Sequence, residues 1–214
     1  MLRGTAGHCK LQLAPSSRPA VRAPCSFVGE DTPAGLHTWT QDREFLLDGR
    51  TGRVRAQNAA GWGLGGIAPN LVLERYGDAM LAYRQLRLVD LANGERRRLR
   101  WPSTLGWLDE ILPQPHGTLV AVSFADPSIQ ASDVWILDTA TRKFWHLPGF
   151  PASISLKFSS MAWTSDDRLV LLVERDDRTR LAVWTPGSKR LPQRAVQLPP
   201  PSGGSDSFVP LVGP

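Results

Sequence analysis

Val134-Trp135-Ile136-Leu137-Asp138-Thr139-Ala140-Thr141-Arg142-Lys143-Phe144-Trp145 is the stretch whose reading decides the fold. A run of β-branched and aromatic residues meets a polar turn opening on an aspartate, and a second such run follows, which predicts a β-hairpin. The same pattern recurs along the chain. Leu46-Leu47-Asp48-Gly49-Arg50-Thr51-Gly52-Arg53-Val54 and Leu88-Val89-Asp90-Leu91-Ala92-Asn93-Gly94-Glu95 are two further copies. A more degraded one is Val183-Trp184-Thr185-Pro186-Gly187-Ser188-Lys189-Arg190-Leu191.

Aligned on Asp48, Asp90, Asp138 and Thr185, the copies stand 42, 48 and 47 residues apart. A period of that length built from strands alone predicts propeller blades, each a four-stranded sheet. An aspartate suits the turn-opening position because its carboxylate accepts backbone N–H groups two residues on. Gly52 and Gly94 stand where the left-handed region is needed. The fold class is therefore all-β: a β-propeller of about four blade-like antiparallel sheets, and an incomplete one. No sustained 3.6-residue apolar period points to helix.

Three segments follow from this reading. Residues 1–30 form an irregular or disordered arm, rich in Pro, Ser and Ala and without period-two alternation. Residues 31–198 hold the blades, the first of which lacks a clear innermost strand. Residues 199–214 are a Pro/Gly-rich tail, in which 208–211 is a candidate closing strand that could complete blade one. Without that closure the arc is open, and self-association is an alternative way to complete it.

The net charge of +5 is mostly in the arm, where Arg3, Lys10, Arg18 and Arg22 against Glu30 leave +3. The remainder carries interspersed charge of both signs, which is not a nucleic-acid groove. Arg96, Arg97, Arg98 and Arg100 form the one dense basic run, placed where an outer strand belongs. Charge on a sheet edge discourages aggregation, and that reading outweighs a phosphate-binding stripe. No apolar run approaches the roughly 20 residues of a membrane span, and no signal peptide is readable. The chain as written thus reads as cytoplasmic, with an envelope or secreted location if its true start lies elsewhere.

Functional motifs are sparse. Gly61-Trp62-Gly63-Leu64-Gly65-Gly66 matches the dinucleotide fingerprint literally, yet a strand follows where the phosphate-binding helix should begin. Close strand packing explains it better. Cys9 and Cys25 lack the further ligands of a zinc site; two idle thiols are the favoured reading, with a disulfide as the alternative. His8, His37, His116 and His146 are scattered, with His116 in a turn and His146 on an outer strand, both read as exposed. Trp62, Trp107 and Trp163 recur near the first strands of successive blades and read as packing between sheets. Asp166, Asp167, Asp176 and Asp177 do not converge on a cation in this arrangement. No residue is assigned as catalytic, cofactor-binding or metal-ligating, and no cofactor is implied.

Ala162-Trp163-Thr164-Ser165-Asp166-Asp167-Arg168-Leu169-Val170 is similar to the turn between the first two strands of WD-repeat and TolB-like propeller blades. Leu112-Pro113-Gln114-Pro115-His116-Gly117-Thr118-Leu119-Val120 is a looser version. The hairpins at Asp48 and Asp138 resemble the D-x-x-T-G turn of quinoprotein-like propellers. The strict WD dipeptide is missing, since Leu47, Val89 and Leu137 precede the aspartates. The resemblance spans roughly residues 36–198 and implies an architecture, with function in the loops. The expected role is a non-catalytic scaffold that binds a protein, peptide or small ligand, with loops 125–132 and 148–157 as candidates. The alternatives are a quinoprotein-like cofactor-binding enzyme domain and a sensor or accessory portion of an envelope protein.

Overall fold

The structure is a computed structural model, and it describes residues 8–12, 20–41, 43–58, 62–76, 85–126, 128–153, 161–175 and 178–197. These residues contain nineteen strands and no helix. The chain divides into two compact units, Met1–Trp101 and Pro102–Pro214.

In the first unit a short ribbon, β1 (Cys9–Leu11) and β2 (Val21–Ala23), pairs antiparallel. The first blade is β3 (Phe27–Thr32), β4 (Gly35–Trp39), β5 (Glu44–Leu47) and β6 (Val54–Gln57), in that order across the sheet. The second is β7 (Trp62–Ala68), β8 (Leu71–Tyr76), β9 (Gln85–Asp90) and β10 (Arg96–Leu99). Leu46, Leu64, Val72 and Val89 meet in one buried cluster that joins the two sheets. Leu11, Ala23, Cys25, Phe45 and Leu47 form another that seats the ribbon on blade one.

In the second unit, β11 (Trp107–Pro113), β12 (Leu119–Asp126), β13 (Ala131–Asp138) and β14 (Lys143–His146) form the third blade. The two-residue β15 (Ala152–Ser153) pairs with the start of β13. The fourth blade is β16 (Met161–Trp163), β17 (Leu169–Arg175), β18 (Arg178–Trp184) and β19 (Gln193–Ala195). A buried cluster joins the third and fourth blades, running from Ile136 and Leu147 to Trp163, Leu169 and Trp184.

The repeated turns have the chemistry their sequence predicts. At Asp48, Oδ1 accepts the N–H groups of Arg50 and Thr51 at 3.0 and 2.7 Å, and the Thr51 hydroxyl at 2.8 Å. Asp90 Oδ1 accepts Ala92 N–H at 2.8 Å. Asp138 accepts Ala140 N–H at 2.9 Å and the Thr141 hydroxyl at 2.8 Å. In each turn the residue four positions on donates its N–H back to the aspartate carbonyl and has positive φ: Gly52 at 67°, Gly94 at 75°, Arg142 at 59°. The degraded copy differs, with the positive φ at Gly187, two residues after Thr185.

Several expectations need correction. Blade one has its fourth strand: β3 supplies it, from a segment expected to belong partly to the irregular arm. A register shift between Val28 and Asp31 breaks the alternation that would have revealed it. The closing strand at 208–211 lies outside the described residues, and the place proposed for it in blade one is already filled from the chain's own N-terminal side. All four blades are thus built from consecutive strands, with none exchanged between distant segments among the described residues. The candidate loop at 125–132 is largely strand, because β12 runs to Asp126 and β13 begins at Ala131. Cys25 is disulfide-bonded, so the idle-thiol reading falls; Cys9 is the other cysteine of the sequence.

Candidate functional site

Two clusters of polar side chains stand out, one in each unit, and they differ in whether their groups are already satisfied.

The cluster of the second unit centres on Asp133. This carboxylate is buried at 4% exposure. Its Oδ2 accepts the Ser103 hydroxyl at 2.5 Å and the Trp135 indole N–H at 2.7 Å, and Oδ1 pairs with His146 Nε2 at 2.5 Å. The imidazole also lies against the Trp135 ring, centroids 4.7 Å apart. His146 is therefore a half-buried partner of a buried carboxylate rather than the exposed histidine expected. Ser, His and Asp together invite comparison with a nucleophilic triad, but the order is wrong. A triad needs the imidazole to reach the hydroxyl. Here the carboxylate stands between them, and the Ser103 oxygen also accepts Leu105 N–H at 3.1 Å. The cluster ties the 103–105 segment to β13, and burial makes its complete hydrogen bonding necessary.

The cluster of the first unit lines an open cleft of about 470 Å³. Strand β4 contributes His37 and Trp39, β5 contributes Glu44, β7 contributes Trp62 and Gly63, and β8 contributes Arg75; Arg43 and Asn58 complete the polar wall. Glu44 Oε2 accepts His37 Nε2 at 3.1 Å and Leu64 N–H at 2.8 Å. Burial disfavours the charged form of Glu44, but these hydrogen bonds and the positive charge of Arg75 outweigh it, holding the carboxyl below its ordinary pKa. Asn58 bridges the two blades, accepting Glu44 N–H at 3.0 Å and donating to the carbonyl of Trp62.

The aromatic groups of the cleft are held in place. Trp39 stacks on Phe27 at 5.8 Å and lies 5.5 Å from the His37 ring. Trp62 packs against Tyr76 at 5.1 Å, and the Arg87 guanidinium sits 3.4 Å from its ring centroid, a cation–π contact. Arg87 is in turn paired with the buried Glu74 at 2.9 Å. The fingerprint-like glycines serve the close packing expected of them. A Cβ on Gly63 would come within 2.7 Å of Arg75 Nε, and one on Gly66 would collide with Thr32.

The remaining sequence candidates are resolved as follows. Arg96, Arg97 and Arg98 are exposed on β10, the edge of its sheet. Trp163 is packed as expected, 6.5 Å from Trp184 with its N–H donated to Leu112 O at 2.9 Å. Trp107 is not: it is 49% exposed. His116 is exposed and faces Asp167 at 3.7 Å. Asp166 accepts the Thr164 hydroxyl and pairs with Arg168 at 2.7 Å, which lowers its pKa. Asp176 and Asp177, like residues 154–157 of one candidate loop, lie outside the described residues. No group of three or more His, Cys, Asp or Glu side chains is arranged for a metal among the described residues, and no helix there is long and apolar enough to cross a membrane.

The sequence alone does not reveal the cleft. Its walls come from four strands spread over residues 37–75, so no local motif carries it. Its one local signal is Trp62 inside a glycine-rich strand, a pattern that by itself reads as packing.

No family model and no curated protein matches the chain. Among solved structures, the chain is similar to the tricorn protease at a TM-score of 0.52 and 10% identity, over 77% of this chain and 16% of that one. It is also similar to TolB from Acinetobacter baumannii (TM-score 0.45, 14% identity, 76% of this chain and 40% of that). The β-propeller domain of the Trilobed protease from Pyrococcus furiosus is a third, at 0.49 and 11%, covering 80% and 57%. The chain thus spans less than two thirds of the length of each. Four sheets of consecutive antiparallel strands, with the likeness to the tricorn protease beside them, give the fold class: all-β, built of propeller-like blades.

Proposed function

We propose that this propeller is a non-catalytic binding scaffold for a protein or peptide, and that the cleft between β4, β5, β7 and β8 is its recognition site. One observation carries the reading. The group in the cleft best suited to acid–base work, Glu44, is engaged by His37 and by Leu64 N–H, while two tryptophans and two arginines line open space. Aromatic and arginine side chains are the residues that dominate recognition surfaces. Glu44 directs one carboxylate oxygen to both His37 and the Leu64 N–H, a tie that holds the two blades together.

The test is selection from a random peptide library on the intact chain, followed by hydrogen-exchange footprinting and mass spectrometry of the bound peptide. The expected result is protection of 37–44 and 62–76 with the peptide recovered intact. Cleaved or chemically altered peptide, or protection confined to the second unit, overturns the reading.

The disulfide at Cys25 favours an envelope or secreted location over a cytoplasmic one, because disulfides persist in oxidising compartments. Thiol trapping of the protein in its native cells checks this; a fully alkylated Cys25 without prior reduction refutes it.

A further inference from the structure

We infer that the cleft recognises a carboxylate carried on an aromatic group, in particular the C-terminal end of a peptide closing on an aromatic residue. This deepens the binding reading and rests on it. The charge distribution comes first. Arg43 and Arg75 both line the cleft, and neither guanidinium makes a hydrogen bond or ion pair with a described residue. Among the described residues lining the cleft the one carboxylate is Glu44, whose pKa Arg75 helps to lower. Within that described lining two cations face one anion, an excess that suits a monoanion better than a phosphate dianion. Guanidinium matches the two oxygens of a carboxylate as a fork.

Arg75 is also shaped for the task. Because residue 63 is glycine, its side chain lies directly over the β7 backbone, where a Cβ would stand 2.7 Å from Nε. The rotamer freedom that an arginine usually loses on binding is thereby reduced beforehand. The apolar part of the ligand follows from the two indoles. Trp62 is fixed by Arg87 and Tyr76, and Trp39 by Phe27 and His37. Rings so held give stacking area at little entropic cost. A volume of about 470 Å³ is in the range of small-ligand pockets, enough for a terminal residue and its neighbour.

The probes are the tripeptide Ala-Ala-Phe, its C-terminal amide, and 3-phenylpropionate, titrated into the full chain and followed by calorimetry and NMR. Ala-Ala-Phe is expected to bind about tenfold or more tighter than the amide, the usual advantage of a charge-assisted hydrogen bond. Arg75→Gln should bring the acid down to the amide's affinity and leave the amide unchanged. Arg43→Gln, at an exposed position, should act in the same direction. Equal binding of acid and amide, unaffected by either substitution, overturns carboxylate recognition while leaving the cleft a binding site. No binding of any probe, with library peptides still protecting 37–44, overturns it likewise. If 3-phenylpropionate binds as tightly as the tripeptide, the carboxylate chemistry stands and the peptide assignment falls.

Discussion

Trp62 and Trp163 occupy the first strands of their respective sheets, β7 and β16, yet their surroundings are opposite. Trp163 is 8% exposed, donates its N–H to a backbone carbonyl and meets Trp184 edge-on. Trp62 is only half-buried, has Arg87 against its ring and opens onto the cleft. The same residue in the same strand of the repeat thus serves the core in one unit and a surface recess in the other. The repeat specifies the blades, and the proposed binding cleft lies where a copy departs from the repeat.

Aromatic truncation tests this contrast most severely. Trp184→Ala removes a fully buried indole and should cost about 3–5 kcal/mol, which for a chain of marginal stability approaches unfolding. Trp62→Ala should cost about 1 kcal/mol, since less area leaves water and the Arg87 contact is worth roughly that much, while abolishing peptide binding. Urea denaturation measures both. Comparable losses at the two positions would show that Trp62 belongs to the core after all.

What was legible beforehand divides along the same line. The turns at Asp48, Asp90 and Asp138 were readable because their hydrogen bonds span two to four residues, within one stretch of sequence. Strand β3 was not, because a register shift and Gly29 interrupt its alternation and Pro24 precedes it. Asp133 follows directly on the candidate loop 125–132, and only the extension of β13 buries it. Its partners Ser103 and His146 are 30 and 13 residues away. The cleft was hidden for the same reason, being made of contacts between strands rather than along them.

A smaller effect separates the carboxylates of the two regions by pH. Glu44, Asp48 and Asp138 are all held below their ordinary values of 4.5, 3.8 and 3.8. At Asp48 the cause is the Thr51 hydroxyl and two N–H groups; at Asp138 burial works against ionisation, and the Thr141 and Ala140 bonds prevail. A group with a depressed folded pKa stabilises the chain fully above its unfolded pKa and loses that contribution as pH falls through the folded one. Stability should therefore be flat above about pH 5 and decline below about pH 4.5. Glu44→Gln should lower stability at neutral pH and flatten the upper part of this decline, whereas Asp48→Asn should flatten only the lower part. Denaturation midpoints across pH 3–7 distinguish them, and identical profiles for the two variants would refute the assignment.

The finest contrast is within the repeated turns. Gly52 and Gly94 have positive φ without a Cβ to clash, but the equivalent residue in the third blade is Arg142, at φ 59°. A side chain in the left-handed region costs about 1 kcal/mol. The turn nevertheless forms, because Arg142 N–H donates to Asp138 O at 2.7 Å and the aspartate side chain binds Ala140 and Thr141. Arg142→Gly should relieve that strain and stabilise the second unit by roughly 0.5–1 kcal/mol, less whatever the arginine side chain contributes through its own contacts. Gly94→Arg imposes the reverse change on an equivalent turn where no neighbouring atom lies within 4 Å of the new Cβ, so its cost isolates the backbone term. Thermal denaturation of the two variants should give shifts of opposite sign. If Arg142→Gly destabilises while Gly94→Arg is neutral, side-chain contacts rather than φ decide which residue the fourth turn position accepts.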